Sequence, residues 1–171
     1  MLETSSLCNL RCPLCPTGVG TLCRSQSNMP FDIFRKVIDD LCAYLIEVNL
    51  GNYGEPFLNN DIYDMVDYVK ARCIRTIIAT NGHFFRNPHD IRRLVRSGLD
   101  RIYISLDGYD QETYEEYRRG GNFRRVVEGM KALVEEKRRV GNSSPYIELQ
   151  FLVMRHNEDG IAKMRKIARD I

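Results

Sequence analysis

Apolar positions along the chain follow two rhythms that take turns. Short runs rich in Ile, Val and Tyr at residues 46–50, 75–80, 101–106 and 146–154 read as β-strands, and a shorter strand is expected over residues 2–6. Between them the apolar spacing changes to three and four, the signature of a helix with one buried face. Asn28 and Pro30 lead into Phe31, Phe34, Ile38, Leu41 and Leu45. A second helix starts near Asn60 and carries Ile62, Met65, Val66 and Val69. A third opens with Asn87 as cap and Pro88 in its first turn, carries Ile91, Leu94 and Val95, and stops at Gly98. A fourth carries Phe123, Val126, Val127, Met130, Leu133 and Val134 and ends near Gly141. The last opens at Asn157 and carries Ile161, Met164 and Ile167.

Strands alternating with helices predict an α/β fold in which right-handed crossovers build a parallel sheet. Such sheets place ligand chemistry beyond the C-terminal strand ends, in doubly wound folds and barrels alike. The polar signatures fall there: Cys8 to Cys15, Gly54-Glu55-Pro56, Thr80-Asn81-Gly82, Ser105 with Asp107-Gly108, and Arg155-His156-Asn157 each follow a strand. Parity separates the two folds. Ile46, Val48 and Leu50 oppose Glu47, Asn49 and Gly51, while Ile147, Leu149, Phe151 and Val153 oppose Glu148, Gln150 and Leu152. A doubly wound sheet is apolar on both faces. One partly polar face fits a sheet curled around a wet cavity, so the expected fold is a partial TIM-like barrel of about five βα units.

Composition changes little in this picture. At 171 residues, 43% hydrophobic and 28% charged, the chain is an ordinary globular domain. The net charge of +2 gives no reason to expect nucleic acid, and the arginine doublets interleave with acids as solvated helix faces do. A patch for an acidic electron-transfer partner is the sharper reading of those doublets. No run of about 18 apolar residues exists to cross a membrane. The start, Met1 to Ser6, has no basic or apolar leader region, so a cytoplasmic location is expected.

Six cysteines are many for such a chain, and three lie within eight residues, as Cys8, Cys12 and Cys15 in a C-x₃-C-x₂-C spacing. In a reducing compartment clustered thiols point to metal or catalysis rather than disulfides. Soft thiolates select iron–sulfur or zinc, and three on a 4Fe–4S cube leave one iron open. A structural zinc site would bring a second Cys or His pair. Cys42 and Cys73 read as small buried residues, and Cys23 is the one remaining candidate for a fourth ligand.

These residues together resemble the radical S-adenosylmethionine (SAM) superfamily. The cysteine motif after a short first strand resembles the family's cluster signature, and Gly54-Glu55-Pro56 resembles its GEP segment. Thr80-Asn81-Gly82, Ser105-Leu106-Asp107-Gly108, and Tyr117-Arg118 with Asn122-Phe123 resemble the subgroup whose longer members carry a SPASM auxiliary-cluster domain. The resemblance implies a 4Fe–4S cluster on Cys8, Cys12 and Cys15, with SAM on its open iron. It places Gly54, Glu55 and Pro56 at the SAM amine, Ser105 with Asp107 at the ribose, and Arg118 at the carboxylate. Thr80 and Asn81 shape the pocket, and Gln150 faces it by parity. No catalytic residue is assigned, and His156 has no visible partner. The residue before Cys15 is often aromatic in the family; here it is Leu14, expected against the adenine. Asn52-Tyr53 stands where a further glycine is frequent.

The implied activity is reductive cleavage of SAM to a 5′-deoxyadenosyl radical that takes hydrogen from a peptide, protein or small molecule such as a sugar. The implied electron source is a flavodoxin or ferredoxin. The family's core is a (β/α)₆ partial barrel, so residues 1–171 read as a single core domain that stops before a sixth unit and before any auxiliary-cluster domain. Two other readings compete. One is an iron–sulfur redox or binding module without SAM turnover, which has no use for Glu55 and the other strand-end signatures. The other is a molybdopterin-type cofactor-biosynthesis cyclase.

Overall fold

The computed structural model describes residues 1–85 and 87–171. Four strands, β1 (Glu47–Asn49), β2 (Arg75–Thr80), β3 (Arg101–Ser105) and β4 (Tyr146–Gln150), form one parallel sheet whose spatial order follows the chain. A doubly wound sheet reverses its order at a switch point, and this one does not. Helices α1 (Pro16–Val19) and α2 (Phe31–Leu41) precede the sheet, and α3 (Ile62–Lys70) and α4 (Pro88–Arg96) make the first two crossovers. The third uses α5 (Gln111–Tyr117) and α6 (Phe123–Val140), and α7 (Ile161–Arg169) follows β4. This is the α/β partial barrel that the alternation and parity predict.

Strand register gives the two faces their characters. Val48, Thr76, Ile78, Ile102, Ile104, Ile147 and Leu149 share the helix-covered face by their pairings. Against it pack Phe34 and Ile38 of α2, Met65 and Val69 of α3, Leu94 of α4, and Val126 and Met130 of α6, all buried. The opposite face carries Glu47, Asn49, Arg75, Arg101, Tyr103, Glu148, Ser105 and Gln150. Two ion pairs cross it, Arg101 to Glu148 at 3.1 Å and Arg75 to Glu47 at 3.7 Å. The inner face is partly polar, since Ile77, Ala79 and Tyr146 lie on it too, and its C-terminal rim holds Ser105 and Gln150 as register partners.

The structure differs from the sequence expectations at several places. Residues 2–6 make no ladder in the sheet. Leu2 N–H donates to the Asn49 carbonyl, but beyond it the segment bonds antiparallel to residues 27–29, with Met29 N–H on the Thr4 carbonyl and Ser6 N–H on the Ser27 carbonyl. The Thr4 hydroxyl donates to the Leu50 carbonyl at 2.7 Å, a side-chain tie where a ladder bond would stand. β4 ends at Gln150 rather than Met154, because Leu152 N–H donates to the Asp107 carboxylate at 2.7 Å and leaves the sheet.

Helix α5 was not expected from periodicity. Tyr114 is its one buried residue, so no apolar stripe announces it, and a capping box between Asp110 and Thr113 starts it instead. Cys73 is exposed, not buried, and sits at φ 59° just past the end of α3, while Cys42 is only half-buried.

Candidate functional site

The cluster loop is fixed before any ligand is considered. Leu10 is buried at its centre, Cys15 N–H closes a turn on the Cys12 carbonyl at 3.2 Å, and Arg11 N–H donates to the Arg119 carbonyl at 3.0 Å. Cys8, Cys12 and Cys15 then face a common cavity of about 300 Å³. Burial raises the Cys8 and Cys12 thiols above their usual range, and Arg118 works against that rise at Cys12. Among the described residues no three His, Cys, Asp or Glu side chains gather around one point as a single metal ion needs. A cube that gives each thiolate its own iron does not require such convergence.

Gly54 brings the second wall into place. Its peptide lies so close to the first segment that a Cβ there would stand 1.9 Å from the Ser5 carbonyl oxygen. Glu55 N–H donates to the Leu7 carbonyl at 2.7 Å, and its side chain turns inward with only 1% exposed. The carboxylate accepts from the Thr80 hydroxyl and Asn81 N–H at 2.8 Å each and from Phe57 N–H at 3.3 Å. Burial nevertheless pushes its pKa up to about 7, because three donors only partly replace lost water. Pro56 starts a 3₁₀ turn behind it and packs on Gly51 rather than lining the cavity.

Asn81 couples the walls. Its amide donates to the Asn9 side chain at 2.8 Å and points at the Cys8 sulfur from 3.9 Å. Behind it lies His83, 4% exposed, which sequence reasoning missed. The His83 Nε2 accepts from Asn122 N–H at 2.9 Å, so in the neutral ring Nδ1 carries the proton and faces the Asn81 oxygens at 3.1 and 3.2 Å. The signal available was its place in the rim loop two residues after Asn81.

The far wall comes from β3, α5 and β4. Ser105, Arg118 and Gln150 line the cavity beside Tyr117, and Leu14 lines it from the cluster loop. Arg118, at the end of α5, is held by Asp107 through Nε at 2.5 Å. Burial works hardest against its charge, but Asp107 and the nearby Cys12 together more than offset that and raise the guanidinium above its usual pKa. Asp107 itself does not line this cavity; it lines an adjoining one of about 410 Å³ that shares Ser105, Arg118 and Gln150. His156 lines neither cavity and lies 3.8 Å from Glu116. Exposed Cys23 is absent from both as well.

The cavity thus gathers three soft thiols, a buried carboxylate and a braced guanidinium. That set suits an iron–sulfur cluster beside a ligand with one ammonium and one carboxylate. Comparison with known proteins decides the family: the model of the radical SAM superfamily matches residues 2–164.

The chain belongs to the radical SAM superfamily.

The cofactors of this superfamily are a 4Fe–4S cluster and SAM, and both fit the donor set of the cavity. Among its relatives, a tungsten-containing aldehyde ferredoxin oxidoreductase cofactor-modifying protein of Pyrococcus furiosus is 31% identical over 160 residues, 91% of this chain and 44% of that protein. A GTP 3′,8-cyclase of Limosilactobacillus fermentum is 33% identical over 140 residues, 75% of this chain and 39% of that protein. The chain therefore spans less than half the length of these radical SAM relatives. In fold it matches SuiB of Streptococcus suis, solved with SAM bound, at a TM-score of 0.79 with 19% identity, covering 99% of this chain and 37% of that one. No described helix is long and apolar enough to cross a membrane.

Proposed function

We propose that this chain is the catalytic core of a radical SAM enzyme, with Cys8, Cys12 and Cys15 as cluster ligands. The observation that carries the reading is that the three thiols, buried Glu55 and Arg118 all open onto one cavity at the C-terminal rim of the sheet. When bound, the reduced cluster and SAM supply a 5′-deoxyadenosyl radical that takes a hydrogen atom from substrate. The protein's part is to bind, orient and shield. Glu55 receives the SAM ammonium by a charge-assisted hydrogen bond, Arg118 receives the carboxylate, and Ser105 and Gln150 face the ribose. Leu14, 73% exposed beside Cys15, supplies an apolar surface for the adenine. A low-potential one-electron donor of the flavodoxin or ferredoxin class reduces the cluster.

For substrate we favour a peptide and the SPASM-associated subgroup, since SuiB, which shares the fold, is also solved with its precursor peptide SuiA. Nucleotide cyclisation is the second reading, supported by the similarity to the GTP 3′,8-cyclase. The test is anaerobic reconstitution with iron and sulfide, reduction, addition of SAM, and chromatography for 5′-deoxyadenosine. Wild type should form it and Cys12→Ala should not. A reduced cluster that leaves SAM intact would exclude the radical reading, and stimulation by GTP alone would favour the cyclase.

A further inference from the structure

The cluster loop has an outer side as well as the side that faces the cofactor cavity. There a solvent-open cleft of about 340 Å³ is walled by Arg11, Pro13, Gly18, Val19, Arg119 and Gly120. Both arginines are exposed, neither forms an ion pair among the described residues, and no carboxylate lines the cleft. Arg11 N–H on the Arg119 carbonyl fixes the two segments side by side, so both arginines rise from one backbone-fixed part of the cleft wall. Val19, 49% exposed, and Pro13 add apolar surface to the same cleft. Arginines framing an apolar centre match the composition of protein interfaces.

Gly18 of α1 rests directly on the Cys12 peptide, where a Cβ would stand 2.4 Å from the Cys12 oxygen and 2.6 Å from its nitrogen. Only a glycine allows that approach. Cys12 also lines the cofactor cavity. A cleft-lining residue and a residue assigned to the cluster are thus in direct backbone contact. The cavity mouth has to admit SAM and substrate, so a protein docked there would compete with both. The outer cleft offers a short route to Cys12 and leaves the mouth free.

We propose that the cleft of Arg11, Val19 and Arg119 is the docking site of a small acidic one-electron carrier protein that reduces the cluster through the Cys12 side of its loop. The inference rests on the radical SAM reading above. In the step itself the carrier's cofactor is oxidised by one electron and the cluster is reduced by one, with no bond made and no proton moved. Charges at such a contact act chiefly on encounter and are screened by salt.

The experiment is anaerobic stopped-flow reduction of the reconstituted chain by flavodoxin hydroquinone, from low to high salt. Wild type is compared with the double reversal Arg11→Glu/Arg119→Glu and with Arg165→Glu/Arg169→Glu on α7, which changes net charge equally. Photoreduced 5-deazariboflavin, small and uncharged, serves as the second donor. The cleft reversal should slow reduction by flavodoxin at low salt about tenfold and flatten its salt dependence. Its rate with deazaflavin and its SAM affinity should stay within about twofold of wild type, and the α7 reversal should resemble wild type. Equal flavodoxin rates in the two reversals overturn the docking site, and so does a loss of SAM affinity in the cleft variant. The neutral pair Arg11→Gln/Arg119→Gln, milder for folding, should fall between wild type and reversal, and no slowing there also overturns it. If wild type forms no cluster that deazaflavin reduces, the radical SAM reading falls first and the docking site with it.

Discussion

Buried Asp107 and half-buried Arg118 pair across the end of the sheet, with Nε 2.5 Å from Oδ2, and the second carboxylate oxygen accepts Leu152 N–H at 2.7 Å. The Asp107 carbonyl meanwhile accepts from the Asn157 side chain at 2.9 Å. One residue therefore ties the ends of β3, α5 and β4 together. Both oxygens are spent on the protein itself, which makes Asp107 a brace for the guanidinium on the cavity wall.

Removing that brace should have two separable effects. Asp107→Ala leaves the largely covered Arg118 guanidinium uncompensated and should cost about 2 kcal/mol in urea unfolding, less than for a fully buried pair. Asp107→Asn keeps the shape and an acceptor for Leu152 but gives up the charge. It should remain folded and bind SAM about tenfold more weakly by calorimetry. Unchanged SAM affinity in Asp107→Asn would detach Arg118 from the SAM carboxylate.

Glu55 should make stability depend on pH in an unusual direction. Its folded pKa of about 7 lies above the ordinary value of 4.5, so over that interval the native state keeps a proton that the unfolded chain has released. The stabilising contribution is complete below pH 4.5 and is lost as pH rises to 7, by about 3 kcal/mol in all. Urea midpoints of the cluster-free protein should fall across this window, and Glu55→Gln should flatten the fall. An ammonium favours the ionised form, so SAM binding to the holoprotein should strengthen through pH 7. An affinity flat with pH would count against Glu55 as the partner of the amine.

How much of this was readable in the sequence depends on what each element rests on. β2 (Arg75–Thr80) was legible to the residue because its β-branched run is buried on both sides, and α4 because Asn87 caps it and accepts from Asp90 N–H. The segment at residues 2–6 has strand composition, but its partners at 27–29 are far along the chain and carry no pattern of their own. Helix α5 rests on a cap and one tyrosine, which periodicity cannot detect. In the site, the thiols, Glu55 and Arg118 were found through motif resemblance, whereas His83 acts through contacts to Asn81 and Asn122 that no local spacing encodes.

Two glycines should answer differently to one added methyl group. At Gly54 the obstruction is backbone on both sides, 1.9 Å to the Ser5 oxygen and 2.8 Å to the Ser6 Cα, and neither can yield without moving the cluster loop. Gly54→Ala should cost roughly 3 kcal/mol or more and lower iron uptake with it. Gly141 caps α6 at φ 66° with open space around it, so Gly141→Ala should cost about 1 kcal/mol from backbone conformation alone and leave iron uptake intact. Thermal melts of both variants, with iron assayed after reconstitution, check the contrast. Equal losses would mean that the tight contact between residues 5 and 54 does not organise the site.

The cysteines allow the sharpest separation. Cys8, Cys12 and Cys15 line the cavity, while Cys23 is exposed outside it, with its sulfur turned back to the Thr21 carbonyl at 3.8 Å. If three thiolates hold a cube and leave one iron for SAM, each of Cys8→Ala, Cys12→Ala and Cys15→Ala should drop iron and sulfide far below about four of each per chain. Cys23→Ala should match wild type in iron, sulfide and absorbance. Cys12 is 6% exposed and packs under Gly18, so its variant also removes a buried sulfur, and its melting temperature should be read without iron to separate packing from ligation. Iron lost on Cys23→Ala would make the cube four-coordinated by protein, close the open position and remove the place where SAM is to bind. Wild-type iron in Cys12→Ala would exclude that thiol as a ligand, however well the motif fits.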